Sequence, residues 1–323
     1  MRLLLRKYLQ ESWLLLSACS VMLFAFCWMR IWIVCQFELD KFAPMLKQFK
    51  AFEKFAPVPL EQFLTHAGSI AMAYNEPVLL LCIVVWSISR GSDVVSGELG
   101  RGTMEMLLAQ PITRTQIVLS HALVGIGGLV VLCSCVWLGT YFGIATNTRL
   151  ETLTPSININ LPLLPIDIPI PTGESTEVRS PLSDVAPASW FIVPTLNLFA
   201  FGFFLLAITS MCSCFDRYRW RTIGVVIGFY VIQFLLFLLS KALELTGWCG
   251  YFSFFSLYQP DAMVQLVRNH PEGGYEIVSS FDVAGWEFWL GPLGMTLLLV
   301  AMGLFCFAAG WRRFVKRDLP APV

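Results

Sequence analysis

The amino-acid sequence predicts an all-α integral membrane protein with six transmembrane helices, and three observations carry the prediction. Of 323 residues, 56% are hydrophobic and only 14% are charged, an apolar share above that of ordinary soluble domains. The surplus is gathered into runs long enough to cross a hydrocarbon core, which takes about 20 helical residues. Lys and Arg cluster in alternate connections between those runs, the pattern that retention of basic residues on the cytoplasmic side produces.

The first twelve residues suit an N-terminal interfacial helix (residues 1–12). Leu3, Leu4, Leu5, Tyr8 and Leu9 can share one face, with Arg2, Arg6, Lys7 and Gln10 largely on the other. A short extension of the first span fits equally well. The basic start and apolar run also look like a secretory leader, but the run is too long and no small-residue cleavage site follows it, so it reads as an uncleaved span.

The remaining chain (13–323) divides into six spans, near 13–35, 70–89, 117–145, 191–215, 222–240 and 288–311. The second is interrupted by Asn75, Glu76 and Pro77. Four basic clusters fall on one side if all six cross: Arg2, Arg6 and Lys7; Arg90, Arg101 and Arg114; Arg217, Arg219 and Arg221; and Arg312, Arg313, Lys316 and Arg317. That side is then the cytoplasm, with both termini inside a cell inner (plasma) membrane. Gly139 with Gly143, and Gly224 with Gly228, are spaced for close helix contact in lipid.

On the outer side, residues 146–189 hold seven prolines. Proline removes a ladder donor, so SININLPLLPIDIPIP predicts edge strands or an extended path, with a flexible linker as the alternative. A second outer loop covers 241–287. Of the ten cysteines, eight lie inside apolar runs, where they act as small apolar side chains. Only Cys35 and Cys249 approach the outer ends, and no disulfide framework is expected.

Two intramembrane charges stand out. Arg30 and Glu76 fall at similar depth in the outer leaflet by helical rise. They are candidates for an ion pair or a polar vestibule, against the alternative that each snorkels to the headgroups.

The most informative stretch is SRGSDVVSGELGRGTMEMLLAQPITRTQ, residues 89–116. Ser92 or Ser96 is placed to cap one helix and Thr103 a second; Gly100 and Gly102 separate them, and Pro111 ends the second. Met104, Leu107 and Leu108 would make an apolar face, with Arg101, Glu105 and Arg114 as the polar contrast. Such a helix suits the transfer of force between a soluble machine and the spans. It suits equally a re-entry loop packed on its own bundle.

The run S-G-E (Ser96, Gly97, Glu98), then G-T-x-E-x-L-L (Gly102, Thr103, Glu105, Leu107, Leu108), then P-x-x-R (Pro111, Arg114) resembles the membrane subunit of ABC-2-type exporters. The resemblance extends to the topology and the N-terminal helix. It implies that residues 90–114 form a coupling segment docking into a cytoplasmic ABC ATPase, and that two permease copies, or this chain and a sister permease, work with two ATPases in the lipid bilayer. It also implies ATP-driven export. The family often carries a Gly-Lys pair shortly after the motif, where this chain has Ser120 and His121.

No G-x-x-x-x-G-K-[ST] is present, so no cofactor is expected on this chain; ATP and Mg would sit on the partner ATPase. The balance of 22 basic and 22 acidic residues suggests no nucleic-acid partner. Asp216-Arg217-Tyr218 matches a receptor tripeptide but lies in a cluster that charge topology already explains. His66, His121 and His270 are scattered, so no metal site or catalytic residue is expected. The alternative to a permease is a membrane scaffold or assembly factor that transports nothing.

Overall fold

A computed structural model describes residues 2–36, 65–153, 156–160, 167–171, 176–242, 244–278, 281–283, 286–288 and 290–317. Among these, six helical stretches are long and apolar enough to cross a membrane. The first is α1 (Arg2–Gln36). The second is composite: α2 (His66–Ala71), a 3-10 turn over Met72–Asn75, α3 (Pro77–Ser92), a π-helix over Asp93–Gly97 and α4 (Glu98–Gly100). A short helix, α5 (Thr103–Leu108), leads to α6 (Arg114–Thr146). The last three spans are α7 (Ile192–Phe215), α8 (Arg219–Ala242) and α10 (Pro292–Lys316), with α9 (Pro260–Asn269) before α10.

The six-span reading therefore holds, with the expected break in the second span and two differences at the junctions. Residues 2–12 do not form a separate interfacial helix; they continue α1 without a break. Leu4 and Tyr8 turn into the protein while Leu3 and Leu9 stay exposed. Apolar positions on two faces serve bundle and lipid at once, so the segment has no single wet side. The second span breaks at Asn75–Pro77 because Glu76 is extended and Pro77 opens the next helix, where its missing N–H costs nothing. It also runs deeper than residue 89: Arg90 to Glu98, assigned from sequence to the polar connection, are buried.

α7 lies at the centre and α8 at the edge. In their most apolar windows, 72% of α7 is buried inside the protein but only 11% of α8. α1 and α6 approach where an added Cβ on Gly139 would stand 2.7 Å from the Phe24 carbonyl oxygen. That is the predicted small-residue contact. Gly224 and Gly228, by contrast, face open space. Trp86 fills the interior beside Gly128, and its indole N–H donates to the Gly125 carbonyl at 2.9 Å. The ten cysteines are unpaired thiols.

The Pro-rich insertion forms two antiparallel pairs, β1 (Thr148–Leu153) with β4 (Thr176–Pro181) and β2 (Ser156–Asn160) with β3 (Asp167–Pro171). Among the described residues each strand has one neighbour, so every one is an edge. Pro169 and Pro171 lie two residues apart, so both missing N–H groups can point to the free side. A third pair, β5 (Phe281–Val283) with β6 (Trp286–Phe288), precedes α10.

At the same end, α9 packs against α2 and α7. Its Asp261 is 8% exposed and accepts a hydrogen bond from the Asn75 amide at the break in the second span. Burial pushes the Asp261 carboxyl up to about 7, with Lys241 and Asn75 pulling the other way. A carboxyl raised on folding binds its proton more tightly in the native state, so stability is highest near or below its unfolded value of 3.8 and falls as pH rises toward 7. Asp261→Asn is accordingly expected to raise Tm at pH 8 and to leave it nearly unchanged only near or below the unfolded value of 3.8, for example in a pair of melts at pH 8 and at that lower pH. An equal gain at both pH values would count against a buried, titrating Asp261.

Candidate functional site

The site is a charged junction buried at the basic end of the bundle, and it starts from a helix defect. α3 continues into the π-helix, whose N–H groups bond five residues back and so leave the α-ladder locally open. The defect turns Asp93 and Glu98 inward. Both are carboxylates, 3% and 0% exposed, and a buried charge persists only when paired.

Asp93 meets three guanidinium groups. Arg90 lies at 2.7 Å, Arg101 at 3.0 Å and Arg219, from the start of α8, at 3.2 Å. Glu98 meets Lys7 of α1 and Arg101, each at 3.3 Å, and accepts a short hydrogen bond from the Thr103 hydroxyl. His121 Nε2 of α6 stands 3.8 Å from the same carboxylate, with its ring 3.7 Å from the Tyr8 ring. Arg101 bridges the two acids. Burial alone would lower its pKa, but Asp93 and then Glu98 hold it above its ordinary value. The network thus ties α1, α3, α6 and α8 to the turn that launches α5.

That turn depends on Gly102, at φ 70°, the one positive-φ glycine among the described residues. An L side chain is strained there. Gly102 is the N-cap residue of α5, so Thr103 does not cap the helix as expected. Its hydroxyl instead donates back to the Glu98 carbonyl and carboxylate. Ser92 and Ser96 are not caps either; they lie inside the continuous helical run. α5 stops at Leu108, short of Pro111, which lies exposed in the following turn.

Met104 and Leu107 are buried against Leu4, Tyr8, Val95 and Ile117, and Leu108 is partly buried. Glu105, Ala109 and Gln110 are exposed, and Met106 is 72% exposed. α5 is thus anchored on one side and free on the other, which joins the two readings of the motif: it packs on its own bundle and presents an outer face. Arg114 does not belong to that face. Its guanidinium donates to the carbonyls of Phe314, Val315 and Arg317 at the end of α10.

Lys7, Tyr8, Arg90, Asp93, Arg219 and His121 were not singled out from the motif. Arg90 and Asp93 fall just past the expected end of the second span, where charge reads as the start of a wet connection. Positive-inside topology explained the arginines too readily, and His121 pairs with a residue 23 positions away. Asp216 of the receptor-like tripeptide accepts hydrogen bonds from the Arg217 and Tyr218 amides, a local turn. Among the described residues, no His, Cys, Asp or Glu group is arranged to hold a metal ion.

At the opposite end, Arg30 and Glu76 do meet, with Nε and Oε1 3.6 Å apart. The side chains are 24% and 37% exposed, so the pair should be worth under about 1 kcal/mol. Arg30→Glu and Glu76→Arg alone should each lower Tm by a few degrees, and the double swap should recover most of the loss. Failure of the swap to recover anything would remove the pairing.

Six apolar helices with a charge network sealed at one end define a multi-pass helical membrane protein. A family model described as ABC-2 family transporter protein matches residues 6–319. The chain belongs to that family, and is therefore a membrane component of the ABC transporter type. No curated protein matches it.

Proposed function

We propose that the chain is the permease subunit of an ATP-driven exporter. In this reading a cytoplasmic ABC ATPase binds the outer face of α5, and ATP and Mg stay on that partner. A second permease copy or a sister chain completes the membrane unit in the plasma membrane, with both termini in the cytoplasm. The ATPase's movement is passed through Glu98, Gly102, Thr103 and the Glu105–Leu108 helix to the spans.

The observation that carries the reading is the two-sided placement of α5. Its inner side is locked to α1 and α6 through Met104 and Leu107, and the turn before it is held by ion pairs to Glu98 and Asp93. A push on the free face must therefore move several spans. A linker that merely joined two helices would need no buried carboxylates.

The test is purification of the full chain from its native membrane in mild detergent, with mass spectrometry and an ATPase assay. A stoichiometric P-loop ATPase is expected. Met106→Arg, on the exposed face, should abolish co-purification while leaving the Tm of the permease within about a degree, since an exposed substitution changes stability little. A chain that carries no ATPase, under conditions that preserve known complexes, would favour the scaffold reading. Unaltered ATPase binding by Met106→Arg would remove α5 as the dock.

A further inference from the structure

The π-helix between α3 and α4 is held open by one side chain from another span. In a continuous α-helix the Ser96 N–H would bond to the Ser92 carbonyl, four residues back. Here the Val95 and Ser96 N–H groups donate instead to Ser213 Oγ of α7, at 3.1 and 2.9 Å. The Ser213 hydroxyl in turn donates to the Ser92 carbonyl at 3.1 Å. Ser96 Oγ also lies 3.0 Å from Ser213 Oγ, so four groups share a hydroxyl with one donor and two acceptor sites. Ser213 is fully buried, and its oxygen is inserted into the ladder where the α-type bond would close.

The surrounding groups support the opening. Ser96 Oγ donates to the Ser92 carbonyl at 2.9 Å and accepts from Thr222 of α8 at 3.2 Å. Arg219 donates to Ser92 Oγ at 3.2 Å. On the other flank, Gly91 lies so close to α7 that an added Cβ would stand 2.9 Å from the Leu206 carbonyl oxygen. The defect is thus seated between α7 and α8, and it joins the two most enclosed spans, each 72% buried in its most apolar window.

We propose that Ser213 is a positioning residue: it sets the helical register between the second span and α4, and its withdrawal lets the π-helix re-close as α-helix. Re-closure removes one residue's excess from the ladder and turns everything beyond Gly97 by about 100°. Glu98 and the start of α5 lie immediately beyond it. A relative shift of α7 against the second span then becomes a rotation at the basic end, and the reverse holds by linkage. The rotation follows from the hydrogen bonds alone; its use in transport rests on the coupling reading above.

The experiment measures spin-label distances on the full chain in lipid nanodiscs, with no ATPase present. Bio-orthogonal labels are placed at Gly100, exposed on α4, with a second label at Leu119 or at Trp220, both exposed. At a side-chain radius of about 5–6 Å, a 100° turn displaces the Gly100 label by about 8–9 Å. Ser213→Ala should shift at least one of the two distance distributions by more than about 3 Å. Ser213→Thr, which keeps the hydroxyl, should reproduce the wild-type distributions.

Wild-type distances in Ser213→Ala, or an equal shift in Ser213→Thr, would overturn the proposal. If Ser213→Ala does not fold, deletion of Val94 in that background decides. A ladder shortened by one residue closes without the hydroxyl, so folding should return, and no recovery would overturn the proposal. Because these readings need no ATPase, their failure is separate from failure of the coupling reading, which would show as absent ATPase binding with the distance shift intact.

Discussion

Asp93→Asn should lower Tm more than any other conservative substitution in the protein. The carboxylate holds three guanidinium groups between 2.7 and 3.2 Å. Removing one partner of a buried ion pair costs about 3–5 kcal/mol, because the remaining charge stays buried without compensation. The Arg101 and Arg219 side chains are 40% and 38% exposed and can turn toward water. Arg90, at 7% exposure, cannot. The cost should therefore fall near the lower limit, about 3 kcal/mol. Arg219→Gln, which leaves Asp93 with two partners, should cost under about 1 kcal/mol. Melting of the two variants in the same nanodiscs separates the effects. Equal, small losses would show that Asp93 is not the anchor of the junction.

If α5 couples an ATPase as proposed, Glu98→Gln should uncouple the protein. Glutamine keeps an acceptor for Thr103 but removes the charge that holds Lys7 and Arg101. The turn at Gly102 would then be tied to α5 but not to α1. A coupling free energy of about 1–3 kcal/mol corresponds to a factor of about 5–150. Transport per ATP hydrolysed should fall by a factor in that range, with hydrolysis itself retained. Some loss of Tm is expected as well, because Lys7 and Arg101 lose a partner. Measurement of both rates on reconstituted complexes decides; normal transport per ATP by a stable Glu98→Gln subunit would exclude Glu98 from coupling.

The two variants probe different links. Asp93 binds within and beside the second span, through Arg90 and Arg219, so its loss loosens the scaffold. Glu98 faces α1 and α6, so its loss disconnects the scaffold from α5. A chain in which both gave the same ratio of Tm loss to transport loss would hold one undivided network rather than two acids joined through Arg101.

Much of this was legible in the sequence because a bilayer constrains it so tightly. Backbone polar groups must be satisfied within each span, so apolar runs announce the helices, and Lys and Arg placement orders them. Gly139 and Gly143 were readable for the same reason, since close approach in lipid needs small residues. The break at Asn75–Pro77 was readable from proline geometry. The ends of the second span were not. Arg90 and Asp93 look like the start of a wet connection, because charge normally marks an interface, and only their mutual pairing lets them stay inside.

The caps misread as Ser92, Ser96 and Thr103 show the limit at short range. A hydroxyl before a helix pattern suggests a cap when local bonds decide. Ser92 and Ser96 instead answer to Ser213, Thr222 and Arg219, more than 110 residues away in sequence. Thr103 answers to a carboxylate that has been drawn inside. Local propensity carries no record of these partners.

By itself, the sequence determined the membrane class, the six spans, the end at which the basic residues gather, and the short helix after Gly102. Hydrophobic runs, charge placement and glycine each act through nearest neighbours or through the solvent, so they are written along the chain. Tertiary structure alone decided which charges are buried, that Arg101 joins Asp93 to Glu98, that α1 continues through residues 2–12, and that a serine of α7 takes the N–H groups of Val95 and Ser96 in the second span. Those outcomes depend on which helix faces lie together, and a buried charge or an opened ladder is stable only once its partner from another span has arrived.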